Sequence, residues 1–242
     1  MAEPGPEQCE LYERCVGYIF RSVATARSRW MPPMEAALAE RRTGRMSGPE
    51  FRAFQARRPD HERWELLGGV AMMMTPPTLT HNQIATNLQR LLDDALERHD
   101  PSLLAAQRPG LELGSGDYKP EPDVGVIDAD FDAGQRFVER AYLLAEVVSE
   151  SDDVAVPGTN RRWVDVKRDL YRAHEYCRAV LVVSQDRMQV AADIRTEAGW
   201  ESSVLEGGGA ELSIPAFGFR CSVADLYDKT PLQPRPASQR RP

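Results

Sequence analysis

The stretch KPEPDVGVIDADFDAGQRFVERAYLLAEVVSE, residues 119–150, contains two apolar runs of strand length, and each run carries one carboxylate. The first run covers residues 122–127 and is followed by turn-forming aspartates. The second covers residues 142–149 and is apolar on both faces apart from Glu146. Continuous apolar runs bounded by turn signals are typical of strands buried on both faces. The pattern predicts two interior strands of one sheet, with Asp123 in the first and Glu146 in the second.

Carboxylates are unusual inside a sheet. An ionised carboxylate in the interior costs several kcal/mol unless it is paired, hydrogen-bonded or bound to a metal. Two of them in neighbouring strands, Asp123 and Glu146, therefore predict a jointly held cation. Oxygen ligands favour a hard ion such as Mg²⁺ or Mn²⁺. A structural ion pair between these acids and an arginine is the alternative.

Composition limits the function classes. With 242 residues, of which 42% are hydrophobic, the chain has enough apolar material for one sizeable core. It has no apolar run of transmembrane length and begins with the polar segment MAEPGPEQCE, so we expect a cytoplasmic protein without a membrane partner. The net charge of −7 argues against a surface that grips phosphates everywhere. It is compatible with a local basic rim around an acidic site.

Six short motifs in a fixed order resemble one protein group. They lie between residues 46 and 228 and read EFRAF, RWELLGGVAMMMTPP, THNQIATNLQRLL, KPEPDVGVID, LLAEVVSES and KRDLY. The Pro-Asp and Glu-containing motifs resemble the PD-(D/E)xK nuclease superfamily. The order of all six is similar to that of its Uma family of restriction-endonuclease-like proteins. Each motif alone is weak, and their order carries the resemblance.

The resemblance implies an α/β fold, with a restriction-endonuclease-like mixed central sheet flanked by helices, over residues 46–228. It implies a metal-dependent endonuclease that hydrolyses phosphodiester bonds in nucleic acid, with DNA as the expected substrate. Asp123, Glu146 and the main-chain carbonyl of Val147 would hold Mg²⁺ or Mn²⁺ at one edge of a cleft. A homodimer is left open.

The chain departs from the superfamily pattern at the lysine. Two positions after the glutamate stands Val148, where the superfamily has a lysine that positions the attacking water. The Uma family carries this lysine on the next helix, in a K-x-x-x-Y pattern. Lys167 and Tyr171 have this spacing on a helix that we predict over residues 161–177, so Lys167 is the implied catalytic lysine. The alternative is a surface lysine on an amphipathic helix.

A second departure favours a different class of function. The acid that the family usually has four residues before the lysine is replaced by Trp163. Together with Val148 and the acidic net charge, this leaves a second hypothesis, a nuclease-fold protein that cuts weakly or not at all and binds nucleic acid or a protein partner.

Two further side chains are additional candidates for the site. Glu65 lies in the first strand of a hairpin predicted over residues 63–75, where a glycine pair supplies the turn. His81 lies at the start of a helix predicted over residues 80–100 with Thr80 as its N-cap. In the family, a glutamate is frequent at the position of Glu65, where it could approach the metal site as an additional acid. A histidine is common at the position of His81, where it could contact a phosphate or a metal-bound water. A surface strand residue and a structural histidine are the alternatives.

The two ends of the chain lack motifs with a chemical role. The resemblance implies that residues 1–45 are an extension outside the family domain, because chains of the family usually begin near Met46. Ser47 and Glu50 form a capping-box signature for a first helix there. Residues 229–242 are basic and rich in proline, which predicts a disordered tail.

Overall fold

The computed structural model describes residues 46–59, 61–67, 69–113, 118–149 and 162–234. The predicted extension over residues 1–45 and the last part of the predicted tail lie outside the described residues. The chain forms two compact units, one built around residues 46–75 and the other around the remaining helices and strands. Among the described residues, no helix combines the length and the apolar character that crossing a bilayer requires.

The first unit contains a short helix and a hairpin. Helix α1 spans Gly48–Gln55, and strands β1 and β2 span Arg63–Leu67 and Val70–Met74 in antiparallel pairing. The predicted capping box is confirmed, because the Ser47 N–H donates to the Glu50 carboxylate at 2.7 Å while the Ser47 hydroxyl accepts from the Glu50 N–H. The predicted hairpin is confirmed as well.

Aromatic packing and one backbone bridge stabilise this unit. The rings of Phe54 and Trp64 meet edge to face at 4.9 Å, an arrangement that the ring quadrupoles favour. Gly69 has φ 75°, a conformation that glycine adopts without a steric penalty at a tight turn. Leu66 exchanges two backbone hydrogen bonds with Lys119, which forms an isolated antiparallel bridge to β1.

The second unit contains three helices and ten strands among its described residues, together with a 3₁₀ turn at Pro215–Phe217. The helices are α2 (Leu79–His99), α3 (Trp163–Ala173) and α4 (Val223–Leu226). The strands are β3 (Leu103–Gln107), β4 (Gly110–Leu111), β5 (Val124–Asp128), β6 (Phe137–Val138), β7 (Ala141–Val148), β8 (Ala179–Ser184), β9 (Gln189–Thr196), β10 (Gly199–Glu206), β11 (Glu211–Ile214) and β12 (Phe219–Ser222).

Six of these strands form the central mixed sheet, in the order β10-β9-β8-β7-β5-β3. Strands β7 and β8 are parallel, and the other neighbours are antiparallel. Parallel neighbours cannot be joined by a tight turn, so the chain crosses over between them through α3. The predicted α/β class with a mixed sheet and flanking helices is confirmed.

The core lies between α2 and one face of this sheet. The apolar stripe of α2 includes Ile84, Leu88, Leu92 and Leu96, each at most 1% exposed. The stripe packs in one cluster with alternate residues of the strands, including Leu143, Ala145, Val147, Leu181 and Val183. Because side chains alternate along a strand, Glu146 lies on the opposite face.

The start of α2 differs from the prediction. Thr78, not Thr80, is the N-cap, and its hydroxyl oxygen accepts from the His81 N–H at 3.1 Å. The Thr78 hydroxyl also donates to the side-chain oxygen of Gln185 at 2.8 Å. This long-range contact selects Thr78 over the second threonine, since both have the residue type that caps a helix. As a result, His81 lies within the first helical turn.

Candidate active site

Asp123 lies immediately before β5, so the predicted strand from Pro122 begins two residues too early. The β5–β7 register pairs Val124 with Ala145, and one more step sets Asp123 opposite Glu146. Instead of a backbone bond, the Asp123 Oδ2 accepts from the Val147 N–H at 2.9 Å. The sheet register therefore brings the two predicted carboxylates to neighbouring positions.

The carbonyl of Val147 faces the same side of the strand as its N–H, because both groups of one residue point towards the same neighbouring strand. The Val147 carbonyl therefore points towards β5, beyond the last paired residues of the β5–β7 ladder. Its role as a metal ligand stays a prediction.

His81 reaches Asp123 from the first turn of α2. Its Nε2 lies 3.0 Å from the Asp123 Oδ2, and the two side chains are 13% and 11% exposed. Burial by itself raises the pKa of Asp123, but the hydrogen bonds from His81 and Val147 and the electrostatic interactions with His81 and Lys167 outweigh this effect. The pKa of Asp123 is therefore lowered from its ordinary value. An ionised Asp123 only accepts, so the Nε2–H of His81 donates to it.

The other ring nitrogen of His81, Nδ1, is buried and has no hydrogen-bond partner among the described residues. Buried polar atoms are nearly always hydrogen-bonded, and an exception calls for an explanation such as a bound ion, water or ligand. The Nδ1 atom is therefore a buried polar atom for which the described residues supply no partner.

Glu146 meets two side chains of α3. The Lys167 Nζ lies 3.2 Å from both carboxylate oxygens, and the Tyr171 hydroxyl donates to Oε1 at 2.5 Å. Lys167 and Tyr171 are four residues apart, so they lie on one face of the helix. Glu146 is 8% exposed and Tyr171 is fully buried. The lysine is therefore one of the residues that α3 directs towards the sheet.

The structure brings four of the five predicted side chains together in the second unit: Asp123, Glu146, Lys167 and His81. Glu65 lies in β1 of the first unit and is 1% exposed. Its approach to the metal site stays a prediction. Helix α3 is shorter than the predicted 161–177 and ends at Ala173.

The donor set of this site is all oxygen. Two carboxylates and one main-chain carbonyl suit Mg²⁺ or Mn²⁺, because Mg²⁺ in proteins takes one or two carboxylates and fills its shell with water and substrate phosphate. Within the described part of the chain, no group of three or more His, Cys, Asp or Glu is placed to hold a metal ion. The residues present fit a hard cation that shares its shell with water and substrate.

The K-x-x-x-Y pattern includes Tyr171 but assigns no chemical role to it. Its signal was its position four residues after Lys167, which puts both side chains on one helical face. Spacing does not reveal that the hydroxyl bonds to Glu146. That contact depends on how α3 packs on the sheet.

Comparisons with known proteins identify a family and a similar fold. Residues 49–224 match the model of the Uma2 family, described as "Putative restriction endonuclease". The fold is similar to that of a protein from Anabaena variabilis ATCC 29413, described as "a putative nuclease belonging to DUF820", with a TM-score of 0.57 and 15% identity. This similarity covers 75% of the present chain and 97% of the other. No curated protein matches the sequence. Because the family match covers more than half of its length, the chain belongs to the Uma2 family.

Proposed function

We propose that the protein is a metal-dependent endonuclease that hydrolyses phosphodiester bonds in nucleic acid, with DNA as its substrate. The observation that carries this proposal is the juxtaposition of Asp123 and Glu146. Both carboxylates are 8% exposed, they occupy opposite positions in the continued β5–β7 register, and a basic side chain contacts each of them. Membership of a family described as restriction endonucleases supports the same class of reaction.

Asp123, Glu146 and the Val147 carbonyl would hold the cation. When bound, Mg²⁺ or Mn²⁺ would polarise the phosphoryl group and lower the pKa of a coordinated water. The residues of the chain set up this site in advance. His81 and the Val147 N–H fix one oxygen of Asp123. Glu146 is fixed by α3, the helix that follows it in the sequence.

Lys167 is the proposed catalytic lysine. Its ammonium group lies at the same distance, 3.2 Å, from both oxygens of Glu146, and its side chain is 12% exposed. A lysine is a point charge on a flexible stem, so it can turn from the carboxylate towards a water or a phosphate oxygen. There it would orient the attacking water and stabilise the charge that develops on the phosphoryl oxygens.

A second candidate function is binding without cleavage. Val148 stands where the superfamily lysine is expected, and the net charge of −7 weakens general attraction to phosphate. A nuclease-fold protein that binds nucleic acid or a protein partner would have the same acid pair without turnover.

A plasmid-nicking assay with Mg²⁺ or Mn²⁺ separates the two functions. We expect Glu146→Gln to reduce cleavage by roughly a thousandfold, because the lost ligand removes several kcal/mol of charge stabilisation. The matched control is Glu211→Gln, an exposed glutamate on β11 that pairs with Arg220 at 3.4 Å. Undiminished cleavage by Glu146→Gln would remove this residue from the mechanism. Absence of metal-dependent cleavage by the wild type would favour the binding function.

A further inference from the structure

We propose that Tyr171 is a positioning residue that holds Glu146 in its metal-binding orientation. This inference rests on the proposed function, since it assigns a role at the same site. Its basis is the 2.5 Å hydrogen bond from the fully buried Tyr171 hydroxyl to the Glu146 Oε1.

The bond has the length of a charge-assisted one. O–H donors to an ionised carboxylate lie at 2.5–2.7 Å and bind about twice as strongly as neutral pairs. The Lys167 contacts, at 3.2 Å to each oxygen, are longer. Of the two α3 side chains, the tyrosine therefore constrains the plane of the carboxylate more tightly.

The two donors also differ in charge. The Lys167 ammonium neutralises Glu146 but repels a second cation, so it opposes metal binding. The Tyr171 hydroxyl is neutral, and it fixes the carboxylate without this repulsion. With the tyrosine in place, the lysine can leave Glu146 and act on water while the ligand keeps its orientation. Groups that orient metal ligands in this way typically contribute tenfold to a hundredfold in metal affinity or activity.

Tyr227 provides a matched comparison within the same unit. It is also fully buried, and its hydroxyl oxygen lies 2.6 Å from the main-chain carbonyl oxygen of Ser184 and 2.7 Å from that of Arg187, either of which can accept its one proton. Its bonds join α4 to the loop between β8 and β9. Loss of this hydroxyl removes buried hydrogen bonds without touching Glu146.

The test is a Mn²⁺ titration of the full chain by calorimetry, on the wild type, Tyr171→Phe, Tyr227→Phe and Lys167→Met. We expect Tyr171→Phe to raise the Kd for Mn²⁺ roughly tenfold. We expect Tyr227→Phe to lower the Tm and leave the Kd unchanged. Lys167→Met should bind Mn²⁺ as tightly as the wild type or more tightly, because a repelling charge is gone. If Tyr171 only stabilised the fold, Tyr171→Phe would lower the Tm without raising the Kd for Mn²⁺, as we expect for Tyr227→Phe.

The shift in Tm on adding Mn²⁺ gives a second readout, since a ligand that binds only the folded state stabilises it by RT ln(1 + [L]/Kd). Tyr171→Phe should show a smaller shift than Tyr227→Phe even where both variants are less stable. Wild-type binding of Mn²⁺ with an unchanged Kd in Tyr171→Phe would overturn the role of Tyr171 alone. Absence of wild-type binding would overturn both this role and the metal dependence of the proposed function.

Discussion

Two consecutive residues of α3 each pair with a buried carboxylate of the same sheet. The two pairs differ in the type of cation and in the position of the carboxylate in the sheet. Lys167 contacts Glu146 at the end of β7, and Arg168 contacts Asp193 within β9. Asp193 is fully buried, and it accepts from the Nε and Nη2 atoms of Arg168 and from the Ser202 hydroxyl. The planar fork of an arginine saturates a carboxylate in one fixed geometry.

The difference indicates which of the two pairs is able to take part in a reaction. Glu146 is held by a neutral hydroxyl and by a rotatable ammonium, and it lies where the β5–β7 ladder ends. Asp193 lies inside the ladder of β8, β9 and β10 with its oxygens satisfied by side chains. A pair that can open without unfolding the sheet is able to exchange its partner for a metal or a substrate. We interpret the Arg168–Asp193 pair as structural.

Removing the arginine should have the largest effect on stability. We expect Arg168→Met to lower the free energy of unfolding by about 3–5 kcal/mol, because it leaves Asp193 as an uncompensated charge in the interior. Chemical denaturation measures the loss. Ser202→Ala is the matched variant and should cost only about 1 kcal/mol, since it removes one hydrogen bond. A loss in Arg168→Met no greater than in Ser202→Ala would contradict the structural role of the pair.

This loss should depend on pH. Burial raises the pKa of Asp193, but the hydrogen bonds from Arg168 and Ser202 outweigh it and hold the pKa below its ordinary value. The stability from this pair is therefore complete above the ordinary pKa of aspartate, about 3.9, and is lost as the pH falls below it. In Arg168→Met, burial is less opposed and Asp193 takes up a proton more readily. The stability gap to the wild type should narrow as the pH approaches 3.9 and below.

Removing the lysine should sharpen the contrast in activity. We expect Lys167→Met to reduce plasmid nicking by about 10²–10³-fold, which is typical for loss of one group that stabilises developing charge. Its unfolding free energy should fall by less than that of Arg168→Met, since Glu146 keeps the bond from Tyr171. Arg168→Met should retain cleavage at temperatures where it is folded. Equal cleavage by both variants would end the distinction between the two pairs.

The smallest effect is expected at the other acid. His81→Ala removes the donor to the Asp123 Oδ2 but leaves the Val147 N–H in place. We expect the metal concentration needed for half-maximal nicking to rise roughly tenfold, as for loss of a group that orients a ligand. His61→Ala, which changes an exposed histidine of the first unit, serves as the control. An unchanged metal requirement in His81→Ala would make the histidine dispensable.

The strand pair and the helices were predictable, and their ends were less so. Apolar runs bounded by turn residues predicted β5 and β7, because burial on both faces requires such runs. The first position of β5 was misplaced because Asp123 bonds to β7 through its side chain and not through its backbone. The N-cap of α2 was misplaced because two threonines have equal local propensity and a contact from Gln185 decides between them.

The amino-acid sequence by itself determined which residues could carry the chemistry: two acids in apolar strands and a lysine with a tyrosine one helical turn later. It also carried the motif order whose resemblance to the Uma family implied the α/β class, and its hydrophobic periodicity predicted individual strands and helices. Only the tertiary structure decided which cation meets which acid, as Lys167 and Arg168 are neighbours in the sequence and reach different strands. The physical reason is that side-chain partners depend on helix rotation and sheet register, which packing fixes across the whole unit.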